Sequence, residues 1–315
     1  WISETQSLLG NMAGAMTKAR SVARTLRSSF ERPAKELAAR RRASVAVILR
    51  REEPNESILV IQRATNERDP WSGDVALPGG RCESGESDLA ACRRECYEEV
   101  GLDLRDETAF RLLGRLDDRP VAVRSSNNDA LPALVLSAYV FEATCPIPPR
   151  LELDRSEVAA AWWVPLRMLS SSEAYGRIHV PLSRMSNVFA PLKLPAVRNL
   201  ATKIGVRLEF PCVELPPPPN AHGASTSGAG ADEEAQQHHQ QQDGSPRMWG
   251  LTLSVIADTL DAAGLEAPVR SHETRDYSCR LPAWSRLLTV LSWIDKGGAD
   301  QDNEQQPKVQ EQPSG

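Results

Sequence analysis

No Cys-x-x-Cys pair occurs among the six cysteines, and none of the five histidines stands at zinc-ligand spacing from them, so a structural zinc module is excluded. There is no excess of positive charge: the formal net charge of −5 gives no global attraction to nucleic acid or to an anionic membrane. No apolar run approaches the length of a transmembrane helix. The terminal Gln-Pro-Ser-Gly is not a peroxisomal address. Cys92 and Cys96, one helical turn apart, suit packed thiols, and a reducing compartment is expected.

What is present is enough apolar residue, 41%, for one core in 315 residues. Twenty-three prolines, a Gln-rich stretch and a polar tail point to one folded domain with appendages. Residues 1–41 form a basic leader, 42–263 the domain, and 264–315 a polar tail with a short amphipathic helix near 282–294. Residues 214–246, with Pro216 to Pro219 and a run of Gln and His, hold too little apolar surface to offset ordering entropy and are expected to be a disordered insertion. The sequence opens on Trp1 where an initiator Met is expected, so residues are expected to precede it. One acid among four basic residues in 1–30 is a composition shared by organelle transit peptides and by a basic helix leading into a domain. Mitochondrial and cytoplasmic locations are both compatible with it.

The chemistry concentrates between Gly80 and Leu102. Gly80 and Glu86 are separated by five residues, Glu86 and Arg94 by seven, and the stretch closes Arg94-Glu95-Cys96-Tyr97-Glu98-Glu99-Val100-Gly101-Leu102. Ser87 is placed to cap a helix starting at Asp88, and Gly101 to end it in the left-handed conformation. Leu89, Cys92, Cys96 and Val100 form its inward face. Glu95, Glu98 and Glu99, at i, i+3 and i+4, are expected to converge on another face, with Arg94 four residues before Glu98 as one compensating charge. Hard oxygen ligands of this kind suit Mg²⁺ or Mn²⁺.

This segment resembles the signature of the Nudix hydrolases at every fixed position, with Cys96 where that family usually has an aliphatic residue. Seven identities at set offsets, each near one in sixteen by background, coincide by chance only about once in 10⁸ windows, so the match is specific. The resemblance implies an α/β fold, a Nudix-type α/β/α sandwich with a mixed sheet. It also implies metal-dependent hydrolysis of a nucleoside diphosphate linkage. Glu95, Glu98 and Glu99 are the expected metal ligands, joined by the carbonyl of Gly80, and Arg94 orients Glu98. Glu86 anchors the loop or reaches metal through water. Glu95, Glu98 and Arg94 are the expected catalytic residues, with the choice of proton-accepting glutamate left open.

A second likeness narrows the substrate. Arg63, Arg68, Gly73 and Pro78-Gly79-Gly80 resemble the segment preceding the signature in the coenzyme A diphosphatase branch, and Trp249-Gly250-Leu251-Thr252 resembles the start of its closing helix. Ile61, Ala64 and Leu77 depart from that branch, and one extra residue separates Arg68 from Gly73. The implied substrate is coenzyme A or an acyl derivative, with Arg63, Arg68, Gly79 and Gly80 in substrate binding, since guanidinium groups hold phosphate bidentately. An ion pair between Arg63 and a neighbouring carboxylate on the sheet is the plainer alternative. ADP-ribose, NADH and dinucleoside polyphosphates are alternative substrates, and a nucleotide-sensing module without hydrolysis is a second class; a third is an interaction protein working through its Gln-rich insertion. The expected partner is a small nucleotide diphosphate, with no nucleic acid and no membrane span; a homodimer is compatible with the sequence.

Around the signature, Glu36 to Arg42 is expected to be helical, Ala43–Leu49 and Ser57–Gln62 to be strands joined by a turn over Arg50–Glu56, and Leu134–Phe141 to lie at the centre of the sheet. Further strands are expected over Phe110–Leu116, Arg177–Val180 and Val206–Val213, with a surface loop from Val121 to Ala130. Glu157 is expected on a short helix before a strand ending at Pro165. Trp162 and Trp163 are expected in the core.

Overall fold

Apolar side chains alternate along Val45 to Leu49 and Ile58 to Ile61, and in the computed structural model each alternation is divided between two cores. Val47, Leu49, Ile58 and Val60 face one layer, and Ala46, Ile48, Leu59 and Ile61 the other. The structure describes residues 22–52, 55–66, 69, 71–122, 132, 134–145, 150–181, 207–218 and 245–268. The expected tail helix near 282–294, Arg68 and most of the 214–246 insertion lie outside these.

In order, the elements are α1 (Val22–Ser29), β1 (Arg42–Glu52), β2 (Asn55–Arg63), β3 (Val75–Ala76), β4 (Gly79–Arg81), α2 (Asp88–Val100), β5 (Phe110–Arg115), β6 (Arg119–Ala122), β7 (Leu134–Ala143), β8 (Val158–Pro165), α3 (Leu166–Leu169), β9 (Tyr175–Pro181), β10 (Arg207–Glu214), β11 (Arg247–Trp249) and α4 (Gly250–Ala262). The main sheet runs β3-β2-β1-β7-β5, with β4 also on β1, β6 on β7 and β8 on β2. It is mixed: β1 and β7 are parallel and the other pairs antiparallel. The expected α/β sandwich with a mixed sheet is therefore what the chain forms, and β7 does lie inside the sheet, between β1 and β5. Helix α2 packs its Cys92, Cys96 and Val100 on one face. Leu26 of α1 and Leu253, Ile256 and Leu260 of α4 cover the other.

The register explains where a site forms. The end of β1 pairs with β2 (Leu49↔Ile58 to Glu52↔Asn55), whereas its start pairs with β4 (Ala43↔Arg81 to Val45↔Gly79). The end of β2 meanwhile pairs with β3 (Ile61↔Ala76). Strands β1 and β2 thus diverge, and the segment from Val75 to Arg81 fills the opening between them, under α2.

Two compact units are distinguished, 1–178 with 210–277 and 179–209 with 278–315. The second is described only at the end of β9 and the start of β10. Among the described residues no helix is long and apolar enough to cross a membrane. Their five cysteines are free thiols.

Several local expectations are corrected. Residues 36–41 are not helical but irregular, with bends at 40 and 41. That segment is held by carboxylates instead: the Lys35 N–H donates to Asp117 at 2.8 Å and the Leu37 N–H to Asp118 at 2.9 Å. The Arg50–Glu56 turn shrinks to the tip of a hairpin, because β1 continues to Glu52 and β2 begins at Asn55. The Val121–Ala130 loop starts as strand, with β6 reaching Ala122, and residues 123–130 lie outside the described set. Before β8 there is a turn over 155–157 rather than a short helix, stabilised by Asp154, whose side chain accepts the Ser156 N–H at 2.8 Å.

A buried ionic network with no local sequence signal ties these pieces together. Arg42 grips Asp88, the first residue of α2, through Nε and Nη2, each at 2.7 Å, and Nη2 also reaches Asp118 at 2.7 Å. Arg115 pairs with Asp88 at 3.2 Å and with Asp118 at 2.5 Å, and Ser137 donates to Asp88 at 2.7 Å. Burial alone would raise the carboxyls of Asp88 and Asp118, yet Arg42 with Ser137 holds the first below its ordinary value, and Arg42, the Leu37 N–H and Arg115 hold the second below it. With folded values depressed, the unfolded chain takes up these protons at higher pH than the folded one. The network therefore stabilises fully above the unfolded carboxylate range and fades as pH falls through the folded values. Asp118→Asn should cost about 3–5 kcal/mol at neutral pH by urea unfolding and flatten the loss of stability below about pH 4. An unchanged acid profile in the variant would contradict this assignment.

Candidate active site

Helix α2 begins and ends on the residues expected. The Ser87 side chain accepts the Ala90 N–H at 3.3 Å, and Gly101, at φ 74°, donates its N–H to the Tyr97 carbonyl at 2.9 Å. From there the helix delivers its acids at graded depth. Glu99 is only 3% exposed, the Glu95 side chain 15% and the Glu98 side chain 56%. At roughly 100° per residue Glu99 falls beside Cys92, on the side away from Cys96, Glu95 lies farther round at the edge of the buried face and Glu98 points away.

Each acid is satisfied separately. Glu99 accepts the Gly79 N–H at 2.8 Å. Arg94 is a hub for the others: it holds Glu86 through Nε and Nη2 at 3.0 Å each, while Nη1 reaches Glu95 at 3.0 Å and Glu98 at 2.9 Å. Its Nη2 also donates to the Arg81 carbonyl at 3.1 Å, so one guanidinium clamps the loop, the sheet edge and the helix. The Arg94–Glu98 pair predicted from spacing is present. The convergence of Glu95, Glu98 and Glu99 is not: among the described residues no three His, Cys, Asp or Glu side chains meet as a ready cage for an ion, because Arg94 and the Gly79 N–H divide the carboxylates between them.

The electrostatics mark the inner pair. Burial raises the Glu95 carboxyl despite Arg94, with Glu98 and Glu157 adding to the rise. Burial pushes Glu99 up to about 8, opposed by the Gly79 N–H and reinforced by Glu95 and Glu157. In contrast, the Arg94 hydrogen bonds hold Glu86 below its ordinary value and raise Arg94 itself. Glu157, outside the signature, thus shares the space of Glu95 and Glu99, and its carbonyl accepts the Ala64 N–H at 2.7 Å. From the sequence, Glu157 reads either as a surface carboxylate or as a support for the base or metal from outside the signature.

The glycines fix the floor. Gly79 has φ 145°, and a Cβ there would strike the Ser44 carbonyl and Val45. A Cβ on Gly80 would strike the Glu95 carboxylate, so the main chain lies directly against that acid. Hard carboxylate oxygens, a bare peptide edge and an acid disfavoured as an anion by burial are a donor set that fits a divalent cation. Arg63, expected to bind substrate, is paired with Asp69 at 2.6 Å. Trp162 is buried as expected, and Trp163 lies under Arg50, whose guanidinium is 4.5 Å from the ring centroid.

Residues 40–183 match the NUDIX domain. An uncharacterized protein of Schizosaccharomyces pombe is 38% identical over 191 residues, 54% of this chain and 56% of that one, so the chain spans little more than half the length of that relative. Among solved structures, a MutT NUDIX hydrolase from Burkholderia pseudomallei is 27% identical, covering 40% of this chain and 84% of that one with a TM-score of 0.28. An Ap4A hydrolase of C. elegans is 14% identical over 52% of this chain and 94% of its own, also at a TM-score of 0.28.

Because Arg94 serves three carboxylates with a forked group, a point charge does not replace it. Arg94→Lys should lower the unfolding free energy by about 1–3 kcal/mol in a urea titration. A variant as stable as the parent would show that the hub is not holding the helix to its loop.

Proposed function

We propose that the protein hydrolyses a nucleoside diphosphate derivative with the help of Mg²⁺ or Mn²⁺, and that its substrate is coenzyme A or an acyl-coenzyme A, cleaved to 3′,5′-ADP and (acyl-)4′-phosphopantetheine. The observation that carries the hydrolytic reading is the seating of Glu95 against Gly80 beside buried Glu99, with Arg94 bracing Glu95. Glu95, Glu98, Glu99 and the Gly80 carbonyl would hold the cation, which supplies Lewis-acid polarisation of phosphoryl oxygens and a more acidic water. The chain's own residues do the rest. Arg94 keeps Glu98 and Glu95 oriented toward the helix surface, and Glu86 fixes the guanidinium that does so. A glutamate of this group takes the proton of the attacking water, while Arg63 and Arg68 receive the substrate's phosphates in fork geometry.

Support for the coenzyme A branch comes from two separate stretches, the Arg63 to Gly80 segment and Trp249-Gly250-Leu251-Thr252, which meet in space: the rings of Trp71 and Trp249 are 5.9 Å apart. Coenzyme A carries a diphosphate and a 3′-phosphate, and two arginines five residues apart in sequence suit that charge.

The test is a panel of coenzyme A, acyl-coenzyme A, ADP-ribose, NADH and dinucleoside polyphosphates with Mg²⁺ or Mn²⁺. Coenzyme A compounds should show the highest kcat/KM; preference for another substrate would replace the branch and leave diphosphate hydrolysis standing. Glu98→Gln, at an exposed position, should lower kcat by roughly two or more orders of magnitude without loss of fold by circular dichroism. An undiminished rate would remove this helix from the chemistry.

A further inference from the structure

We propose that Trp71 is a positioning residue for Arg63: its stacking on Trp249 sets Asp69, and Asp69 in turn sets the guanidinium that meets the substrate's phosphate. The inference rests on the proposed function, in which Arg63 binds phosphate.

Arg63 leaves β2 at a register shift between Gln62 and Arg63, where the β8 pairing slips, and such irregularities re-aim a side chain. Its main chain stays fixed, since the Arg63 N–H donates to the Asp74 carbonyl at 3.0 Å and the next N–H, of Ala64, to Glu157. Its side chain is directed by one atom: Nε and Nη2 both reach Asp69 Oδ2, at 3.0 and 2.6 Å. The other oxygen of Asp69, Oδ1, accepts the Trp71 N–H at 3.0 Å. A carboxylate held on both oxygens has no freedom to rotate away. Arg63 also favours the anionic form of Glu99, so the guanidinium and the acidic helix face the same space.

The loop carrying Asp69 is otherwise polar in its own contacts. Ser72 donates its N–H to the Asp69 carbonyl at 3.0 Å, and its hydroxyl accepts the Asn66 N–H at 2.7 Å and donates to the Ala64 carbonyl at 3.3 Å. These bonds close the loop on itself, and the Arg63 N–H and the Gln62 side chain tie its far end to β2 at Asp74 and Gly73. Trp71 adds an aromatic contact next to Asp69. Its ring is half-buried and inclined 53° to that of Trp249, which is itself 5.4 Å from Phe210 and only 7% exposed. Trp249 sits on β11, paired with Cys212 of β10. A rigid aromatic contact from the second sheet thus reaches the phosphate-binding arginine through two residues of loop. Pre-ordering a guanidinium in this way lowers the entropic cost of binding phosphate and leaves the bond-breaking step unaltered.

The experiment separates KM from kcat. In the full chain, Trp71→Ala, or Trp71→Leu if the alanine chain does not fold, should raise KM for coenzyme A about tenfold with kcat within about threefold of the parent. Trp71→Phe, which keeps a ring, should restore KM to within about threefold of the parent. Asp69→Asn should reproduce the tenfold rise. Calorimetric titration with ADP should show the same order of Kd values. A folded Trp71→Ala or Trp71→Leu chain with unchanged KM and unchanged Kd for ADP, or a loss confined to kcat, would overturn the proposal. A parent protein that cleaves no nucleoside diphosphate derivative would overturn the proposed function, while the ADP titrations would still decide the role of Trp71.

Discussion

A carboxylate with one backbone donor, enclosed among apolar groups and other acids, is the constraint on which this domain turns. Glu99 is set inside the helix-sheet contact, where its oxygen accepts the Gly79 N–H at 2.8 Å. An amide in that place requires a strand end that carries no side chain, and the chain meets the requirement with Gly79 and Gly80 at the point where β1 and β2 part. The helix, the split in the sheet and the two glycines are therefore one arrangement rather than three features. Displacing any of them would leave a buried acid without its partner, a cost of several kcal/mol.

Around that fixed point the remaining charges are organised by arginines at two ends of α2. Arg42 and Arg115 hold its first residue, Asp88, against the sheet, and Arg94 holds Glu86, Glu95 and Glu98 along its flank. The two clusters do different work. The first is deeply buried and well paired, with its acids favoured as anions, which suits a permanent anchor. In the second, Glu95 is disfavoured as an anion although Arg94 touches it, which leaves it a group that gains from additional positive charge. Local electrostatics thus distinguish acids that support the fold from acids that invite a cation.

How much of this was legible beforehand follows from sequence separation. The bounds of α2 were readable because a Ser cap and a left-handed Gly act within one turn. The inward and outward halves of β1 and β2 were readable from a period of two. The Arg42–Asp88 and Arg42–Asp118 pairs join residues 46 and 76 apart, and no window of the sequence contains them. That same network explains why Glu36 to Arg41 is not helical: a segment of good helix formers has its backbone N–H groups at Lys35 and Leu37 taken by Asp117 and Asp118, a tertiary contact overriding propensity. That the three acids are held apart here has a different reason. An i, i+3, i+4 pattern states which side chains are neighbours, but not that one of them, Glu99, shares its angular position with the apolar face. The plainer alternative for Arg63, an ion pair with a carboxylate of the sheet, differs from what forms: its partner is Asp69, in the loop after β2.

The central claim is that the acids of α2 hold a divalent cation for reaction at a diphosphate. Electron paramagnetic resonance of Mn²⁺ titrated into the protein, with and without a non-hydrolysable diphosphate analogue, tests it most directly. The account predicts bound Mn²⁺, tighter when the analogue is present and lost in Glu95→Gln. Free Mn²⁺ throughout, or binding that Glu95→Gln leaves intact, would contradict it.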